Sequence, residues 1–176
     1  LSWFMISQNK GFTLIEAIIS LALVAILASV AFPVFNDYSI RARVAEGAYL
    51  AAGIQLEVAD QVDDAQSLID LAASWNAQAG GFGAISKYVN SVLINNATGE
   101  ITVTFNAANV GSIAVNSTIV YTPYRLNAGA LTLLAGTFGN NGSKTTRWGC
   151  ASQSNAVSAA KGLAAITMGT LNPNFA

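Results

Sequence analysis

The chain has 176 residues, of which 53% are hydrophobic and only 10% are charged, and its formal net charge is -1. A soluble domain usually carries about a quarter charged residues, so we expect part of this chain to lie outside water. The sequence contains no histidine and a single cysteine, Cys150. This composition excludes histidine catalysis, zinc sites built from cysteine and histidine, and a disulfide between two of the given residues. It also lacks the basic excess of a general nucleic-acid binder.

The first element in chain order is an uncharged apolar run from Ala17 to Phe35, AIISLALVAILASVAFPVF. As a helix it would be roughly 28 Å long, close to the thickness of the hydrocarbon core of a bilayer, so the run predicts a transmembrane helix. Glu16 lies at its N-terminal edge between apolar residues, where an acid is costly and usually functional. Pro33, near the far end, predicts a kink or local unwinding.

A signal peptide and a simple membrane anchor are two plainer interpretations of this apolar run. A secretory signal peptide has an apolar stretch of about 7–15 residues, which is shorter than this one. A simple single-span anchor explains the length but not the placement of Glu16. The basic residues on either side of the run do not decide its orientation in a membrane, because Lys10 precedes it while Arg41 and Arg43 follow it closely.

After Phe35 the sequence becomes amphipathic, which predicts that the same helix continues to residue 64 with one face against a globular head. The apolar face at helical spacing comprises Ile40, Val44, Ala48, Ala51, Ile54, Val58 and Val62. The opposite, polar face comprises Ser39, Arg43, Glu46, Gly53, Glu57, Asp60 and Asp64. Gly47 and Gly53 are each expected to weaken the helix by up to about 1 kcal/mol relative to alanine.

The remainder predicts a small α+β head. Residues 63–83 show some helical periodicity before a glycine-rich break, with Trp75 and Phe82 as expected anchors over the helix. Alternating or β-branched runs then predict strands at 87–95, 100–106, 118–124, 130–134 and 145–152, joined by turns that include 96–99 and 139–143. Pro123 suggests that the third strand ends there or lies at an edge. Short turns imply an antiparallel sheet with one face on the helix.

The segment KGFTLIEAIISLALVAILASVAFPVFNDY closely resembles the N-terminus of type IV prepilins. The strong match covers roughly residues 10–47, and the rest of the chain resembles the family only in layout. The resemblance implies a type IVa-like major pilin precursor with a class III leader that is cut after Gly11. Phe12 would become the N-methylated first residue, Glu16 matches the family's assembly glutamate, and Pro33 matches its helix-kinking proline. Met5 would begin a leader of ordinary length, and residues 1–4 do not look like part of it.

On this resemblance we expect four regions. Residues 1–11 form the removed leader, 12–35 the transmembrane and filament-core helix, 36–64 its amphipathic continuation, and 65–176 the globular head. The fold class is α+β, a long N-terminal α-helix packed on a C-terminal antiparallel β-sheet.

The resemblance implies a structural subunit of a type IV pilus, which polymerises through its N-terminal helix into a filament for adhesion, twitching motility or DNA uptake. Glu16 would neutralise the N-terminal amine of a neighbouring subunit. The implied partners are other pilin subunits, the prepilin peptidase, the assembly machinery, the inner membrane before assembly, and a host surface or DNA. A type II secretion pseudopilin or minor pilin is the alternative, and a single-span membrane-tethered domain is a third interpretation.

Cys150 lies in a Trp-x-Cys context with Trp148, where the best-known pilin subclass has the first of two cysteines. Cys150 is therefore a possible disulfide half. Either the given chain stops short of a second cysteine, or the C-terminal loop is held without a disulfide, or Cys150 is an ordinary buried thiol.

No catalytic, phosphate-binding or calcium-loop motif occurs, so we expect no enzyme activity, no cofactor and no metal site. The acidic residues Asp60, Asp63, Asp64 and Asp70 are better interpreted as a solvated helix end than as a cation site. Lys144 and Arg147 near Trp148 give only a weak indication of contact with DNA or a surface ligand.

Overall fold

The computed structural model of the chain describes residues 11–139 and 145–176. Residues 1–10, Lys144 and most of the predicted 139–143 turn lie outside the described residues. The long helix α1 spans Leu14–Gln61 and contributes to two compact units. The first unit ends at Tyr38 and the second extends from Ser39 to Ala176.

The second unit is built on a five-stranded antiparallel sheet. Its strands are β1 (Val89–Ile94), β2 (Ile101–Phe105), β3 (Thr118–Asn127), β4 (Ala130–Leu133) and β5 (Thr146–Ala151). The predicted strands are thus confirmed, with ends that differ by a few residues. Three further helices are α2 (Ala65–Asn76), α3 (Ala107–Val110) and α4 (Ala156–Ala160), with 3₁₀ turns at Gln78–Gly80, Leu134–Thr137 and Pro173–Phe175.

The core of the second unit lies between α1 and one face of the sheet. In β2 the buried residues are Ile101, Val103 and Phe105, which confirms the predicted alternation. The helix contributes a buried row at alternating spacings of four and three, namely Ile40, Val44, Gly47, Ala51, Ile54 and Val58.

The buried row corrects one prediction, because Gly47 is buried where Ala48 was expected and Ala48 is exposed. A Cβ atom at Gly47 would lie 2.6 Å from the Phe105 ring and 2.9 Å from Val103. The glycine therefore lets α1 lie directly against β2 at this point. Its low helix propensity is offset by that packing.

The prediction that Pro123 ends the third strand or lies at an edge is wrong, since β3 is central and continues to Asn127. β2 and β4 pair with successive parts of one edge of β3, and Pro123 falls between them, while β5 pairs along the other edge. The Tyr121–Cys150 pair between β3 and β5 is a non-hydrogen-bonded pair. The backbone N–H and C=O of Cys150 point away from β3, and both bind the Ser158 hydroxyl instead. By the two-residue alternation the Pro123–Trp148 pair is also non-hydrogen-bonded, so proline loses no ladder bond there.

Helix α2 forms where the sequence indicated only partial helical periodicity. Asp64 caps it by accepting a hydrogen bond from the Ser67 backbone N–H at 2.7 Å. Trp75 is buried, as predicted, and its indole N–H donates to the Val92 carbonyl at 2.9 Å. The prediction for Phe82 is wrong, because its ring is 55% exposed and only its carbonyl binds the sheet, accepting from the Val92 N–H.

Candidate processing and assembly site

The predicted processing residues lie immediately before α1. Gly11 and Phe12 are both exposed and non-helical. Thr13 then caps the helix, since its side-chain oxygen accepts from the Glu16 N–H at 3.3 Å and its carbonyl accepts from the Ala17 N–H at 3.1 Å. Gly11 and Phe12 are therefore accessible and outside the helix, and cleavage between them stays a prediction.

Glu16 also takes part in the cap at the start of α1, which the sequence analysis did not predict. The Thr13 hydroxyl donates to the Glu16 carboxylate at 3.4 Å, so the two side chains form a local pair across the first helical turn. The motif T-L-I-E, a Thr followed three residues later by Glu, was the available signal. A carboxylate in the first turn also faces the partial positive charge of the helix N-terminus, which stabilises it there.

The first unit exposes apolar side chains on every side of α1. Leu14–Gln61 is the one helix among the described residues that is long and apolar enough to cross a membrane, by length and composition only. The large exposed side chains include Leu14, Ile15, Ile18, Ile19, Leu21, Leu23, Val24, Ile26, Leu27, Val30, Phe32, Val34 and Phe35. Such a surface requires lipid or apolar protein neighbours.

The two serines in this segment do not interrupt its apolar character. The Ser20 hydroxyl donates to the Glu16 carbonyl at 2.6 Å, and the Ser29 hydroxyl donates to the Ile26 carbonyl at 2.7 Å. Both polar groups are therefore satisfied within the helix, as a helix surrounded by hydrocarbon requires. Pro33 lies inside α1, and its predicted kink stays a prediction.

Cys150 lies on β5 with its thiol beside Tyr121 of β3. Burial raises the pKa of Cys150, and burial followed by the charge of Cys150 raises the pKa of Tyr121. A raised pKa favours the protonated thiol at neutral pH. The backbone of Cys150 is bound to the C-terminal segment, residues 152–176, through Ser158. The Ser158 hydroxyl accepts from the Cys150 N–H and donates to the Cys150 carbonyl, both at 2.9 Å. The role of Cys150 as a disulfide half stays a prediction.

A buried carboxylate that the sequence reasoning missed holds the C-terminal segment against the sheet. Glu100 is only 5% exposed and accepts from the Thr122 hydroxyl at 2.7 Å. It also accepts from the Thr167 backbone N–H at 3.0 Å and from the Thr167 hydroxyl at 2.8 Å. The nearly continuous burial of β3 shows that both faces of the sheet are covered there, which places Glu100 and Thr122 under the C-terminal segment.

Further hydrogen bonds fix the same segment to the end of β3. The Thr118 N–H donates to the Thr170 hydroxyl, and the Thr118 carbonyl accepts from the Thr170 and Leu171 N–H groups at 3.0 Å. Gly169 lies so close that a Cβ atom would be 2.4 Å from the Thr118 carbonyl oxygen. The C-terminal segment is thus held to β3 and to Glu100 by polar contacts, and the buried side chain of Leu171 adds an apolar contact with the core.

The acidic residues around α2 serve the helix itself. Asp64 is the cap, and hydrogen bonds from the Ser67 N–H and hydroxyl lower the pKa of its carboxyl group. Asp70 accepts from the Gln66 side-chain amide at 2.8 Å. Within residues 11–139 and 145–176, no three His, Cys, Asp or Glu side chains group closely enough to hold a metal ion.

Comparison with known proteins identifies the family. Residues 40–175 match the pilin family of bacterial filaments, and residues 6–32 match the prokaryotic N-terminal methylation motif. A crystallised type IV pilin of Pseudomonas aeruginosa strain Pa110594 superposes with a TM-score of 0.72 at 34% identity, over 78% of this chain and 95% of that one. The chain belongs to the type IV pilin family.

Curated relatives match about a third of this pilin. A type IV major fimbrial protein FimA of Dichelobacter nodosus is 48% identical over 60 residues, which is 34% of this chain and 38% of the relative. A fimbrial protein of the same species is 45% identical over 62 residues. The alignments thus span less than two fifths of the length of these relatives. The methylation motif includes Gly11, Phe12 and Glu16, and the family is structural rather than enzymatic.

Proposed function

We propose that this pilin is inserted in the inner membrane by its N-terminal helix, is trimmed and methylated, and then polymerises into an extracellular type IV pilus. The observation that carries this proposal is the apolar surface of the first unit. It is exposed on every side of a single helix, and the hydroxyls of Ser20 and Ser29 donate to carbonyls of that same helix. Lipid covers such a surface before assembly, and other copies cover it afterwards.

The trimming step follows from the exposed segment before α1. Cutting after Gly11 creates an ammonium group on Phe12, next to the positive end of the helix dipole, where a cation is unfavourable. A carboxylate from a neighbouring copy compensates that charge in an apolar environment. Glu16 is exposed and lies one turn from the cut, so it is the residue that we assign to this role. The prepilin peptidase and the assembly machinery are the corresponding partners.

The mature filament would present the second unit to the outside. We propose a major subunit, in line with the names of the curated relatives, that serves adhesion, twitching motility or DNA uptake through contacts with a host surface or with DNA. No observation favours the pseudopilin or tethered-domain alternatives.

A charge substitution at Glu16 tests the assembly step. Glu16→Gln keeps the size and one oxygen but removes the charge, so we expect cutting after Gly11 to continue while filament yield in the sheared surface fraction falls at least tenfold. Asp37→Asn is the matched control, since Asp37 is an exposed acid just beyond the apolar run, and its yield should stay within twofold of the wild type. Normal filament yield from Glu16→Gln would contradict the proposed role.

A further inference from the structure

An open groove, which we name the β1 groove, lies beside the first two strands of the sheet. Its volume is about 420 Å³, within the range of about 300–1,000 Å³ that small-molecule sites occupy. The paired residues Ser91 of β1 and Thr104 of β2 line it. Because Val103 and Phe105 pack towards α1, side-chain alternation turns Thr104 and its partner away from that helix. The groove is therefore on the outer side of the sheet.

The β1 groove contains hydroxyl groups that have no partner in the protein. Ser91 is only 8% exposed, yet neither its hydroxyl nor that of Thr104 makes a hydrogen bond within the described residues. No enclosed side-chain oxygen in that part of the chain is left unpaired, so the Ser91 hydroxyl is open to the groove. The Ser86 hydroxyl accepts from the Tyr88 and Val89 N–H groups, both at 3.2 Å, and keeps its own hydrogen to donate. These groups are available to a ligand.

Apolar side chains on a fixed backbone complete the lining. Phe82 is 55% and Ile85 is 53% exposed, and both border the groove. The Phe82 N–H donates to the Gln78 carbonyl and the Phe82 carbonyl accepts from the Val92 N–H, both at 3.1 Å. An aromatic ring held in this way offers a flat apolar surface, and a ligand that packs on it has little backbone to order.

We propose that the β1 groove binds a neutral sugar ring of a surface glycan. A pyranose ring has a face of apolar C–H groups and a rim of hydroxyls. The Phe82 ring and Ile85 match the face, whereas the hydroxyls of Ser91 and Thr104 and the side-chain amide of Asn116 match the rim. This inference rests on the proposed function, in which the filament meets a host surface, and it names the ligand class at that contact.

The absence of charge favours a neutral ligand. Among the described residues that line the groove, none is charged. A carboxylate, sulfate or phosphate group placed there would have no cation to pair with, and nucleic acids bind mainly through such pairs.

The edge of β1 is closed to an added peptide strand. A peptide that extends a sheet needs free backbone groups along the edge. Here the Val89 carbonyl accepts from the Ser86 N–H at 2.9 Å, and the Val92 N–H donates to the Phe82 carbonyl. The Val92 carbonyl accepts from the Trp75 indole N–H. The groove therefore offers side-chain groups rather than a backbone ladder, which suits a sugar better than a peptide.

A nuclear magnetic resonance titration of the full chain tests the ligand class. The chain is kept in a detergent without a sugar headgroup and titrated to high millimolar concentration with methyl glucoside, methyl galactoside and the matching uronates. We expect a neutral glycoside to shift the Ser91 and Thr104 amide signals, and its uronate to bind at least tenfold more weakly. No shift with either neutral glycoside, shifts confined to other parts of the chain, or equal binding of the uronate would overturn the proposal.

Three variants test the groove residues. Phe82→Ala removes the ring and should lower the affinity for the neutral glycoside at least tenfold. Ser91→Ala should lower it at least threefold without lowering the unfolding temperature, because the hydroxyl has no partner in the protein. Val157→Ala is the control, since Val157 is 73% exposed but outside the groove, and its affinity should stay within twofold of the wild type. Unchanged affinity in Phe82→Ala would contradict the assignment.

Sheared filaments on beads that carry the same neutral glycoside separate this inference from the proposed function. We expect wild-type filaments to be retained and Phe82→Ala filaments to pass through. If wild-type filaments form but do not bind the beads, only this inference fails. If the chain in detergent binds the glycoside but the cells form no filaments, the proposed function fails and the sugar site stands.

Discussion

The two units of this pilin contain the same kinds of apolar residue but differ in how far those residues are exposed. In the described part of the first unit, residues 11–38, the leucine, isoleucine and valine side chains are exposed. In the second unit, such side chains are buried between a helix and a sheet. Even a buried acid, Glu100, accepts hydrogen bonds from neighbouring groups. The difference teaches that apolar residues in the first unit direct association, whereas those in the second determine the fold.

The largest effect that this comparison predicts is at Phe105, which is fully buried against Gly47 of α1. Phe105→Ala should lower the free energy of unfolding of the second unit by about 3–5 kcal/mol, because it removes a buried ring and leaves a cavity. Thermal unfolding of the full chain in detergent, followed by near-UV circular dichroism, measures this.

Leu23→Ala is the control in the first unit, since Leu23 is 59% exposed. It should leave the unfolding temperature unchanged while weakening filament assembly. An equal loss of stability from both variants would contradict the division of roles between the units.

The next effect concerns Glu100. Glu100→Leu leaves the Thr122 and Thr167 donors without their buried acceptor, which should cost about 1–3 kcal/mol. Glu100→Gln keeps one acceptor oxygen and should cost less. Hydrogen exchange of the Thr167 amide should accelerate in the leucine variant. If that amide stays as protected as in the wild type, Glu100 does not anchor the C-terminal segment.

A smaller effect is expected at the cap of α2. Asp64→Ala removes the acceptor of the Ser67 N–H and should lower the unfolding temperature slightly, whereas Asp64→Asn retains a capping oxygen and should behave more like the wild type. Because the pKa of Asp64 is lowered below its ordinary value of 3.8, the contribution is present above that pH and is lost as the pH falls through the folded value. A pH titration of the unfolding temperature from 6 to 2 checks both points.

The smallest effect under ordinary conditions comes from Cys150 and Tyr121. The pKa of each is raised in the folded state, so their contribution to stability is complete below the unfolded thiol value of about 9 and is lost as the pH rises further. Unfolding temperatures should therefore be constant from pH 6 to 8 and fall above pH 9. Cys150→Ser should move the onset of that fall towards the ordinary tyrosine pKa of 10.0. An unchanged onset would mean that the pair does not titrate as a unit.

Periodicity predicted the elements of this pilin well, because burial of one face imposes a period on helix and strand alike. It misplaced Gly47, since the sequence gives no measure of how closely α1 approaches Phe105. It also misjudged Pro123, whose tolerance depends on where two partner strands stop. Both errors concern contacts between elements that are far apart in the sequence.

The candidate site was predictable to a different extent. The residues around the proposed cleavage point, Gly11, Phe12 and Glu16, lie in a contiguous motif whose recognition needs no tertiary information. Glu100 could not be found in this way, because its partner Thr167 lies 67 residues away.

The N-terminal peptide of the chain in sheared surface filaments is the most direct test of the central claim. Mass spectrometry should find a peptide that begins at Phe12 and carries one added methyl group, in filaments that disappear when Glu16 is replaced by Gln. A chain that retains residues before Phe12, or that is cut after the apolar run, would contradict the account.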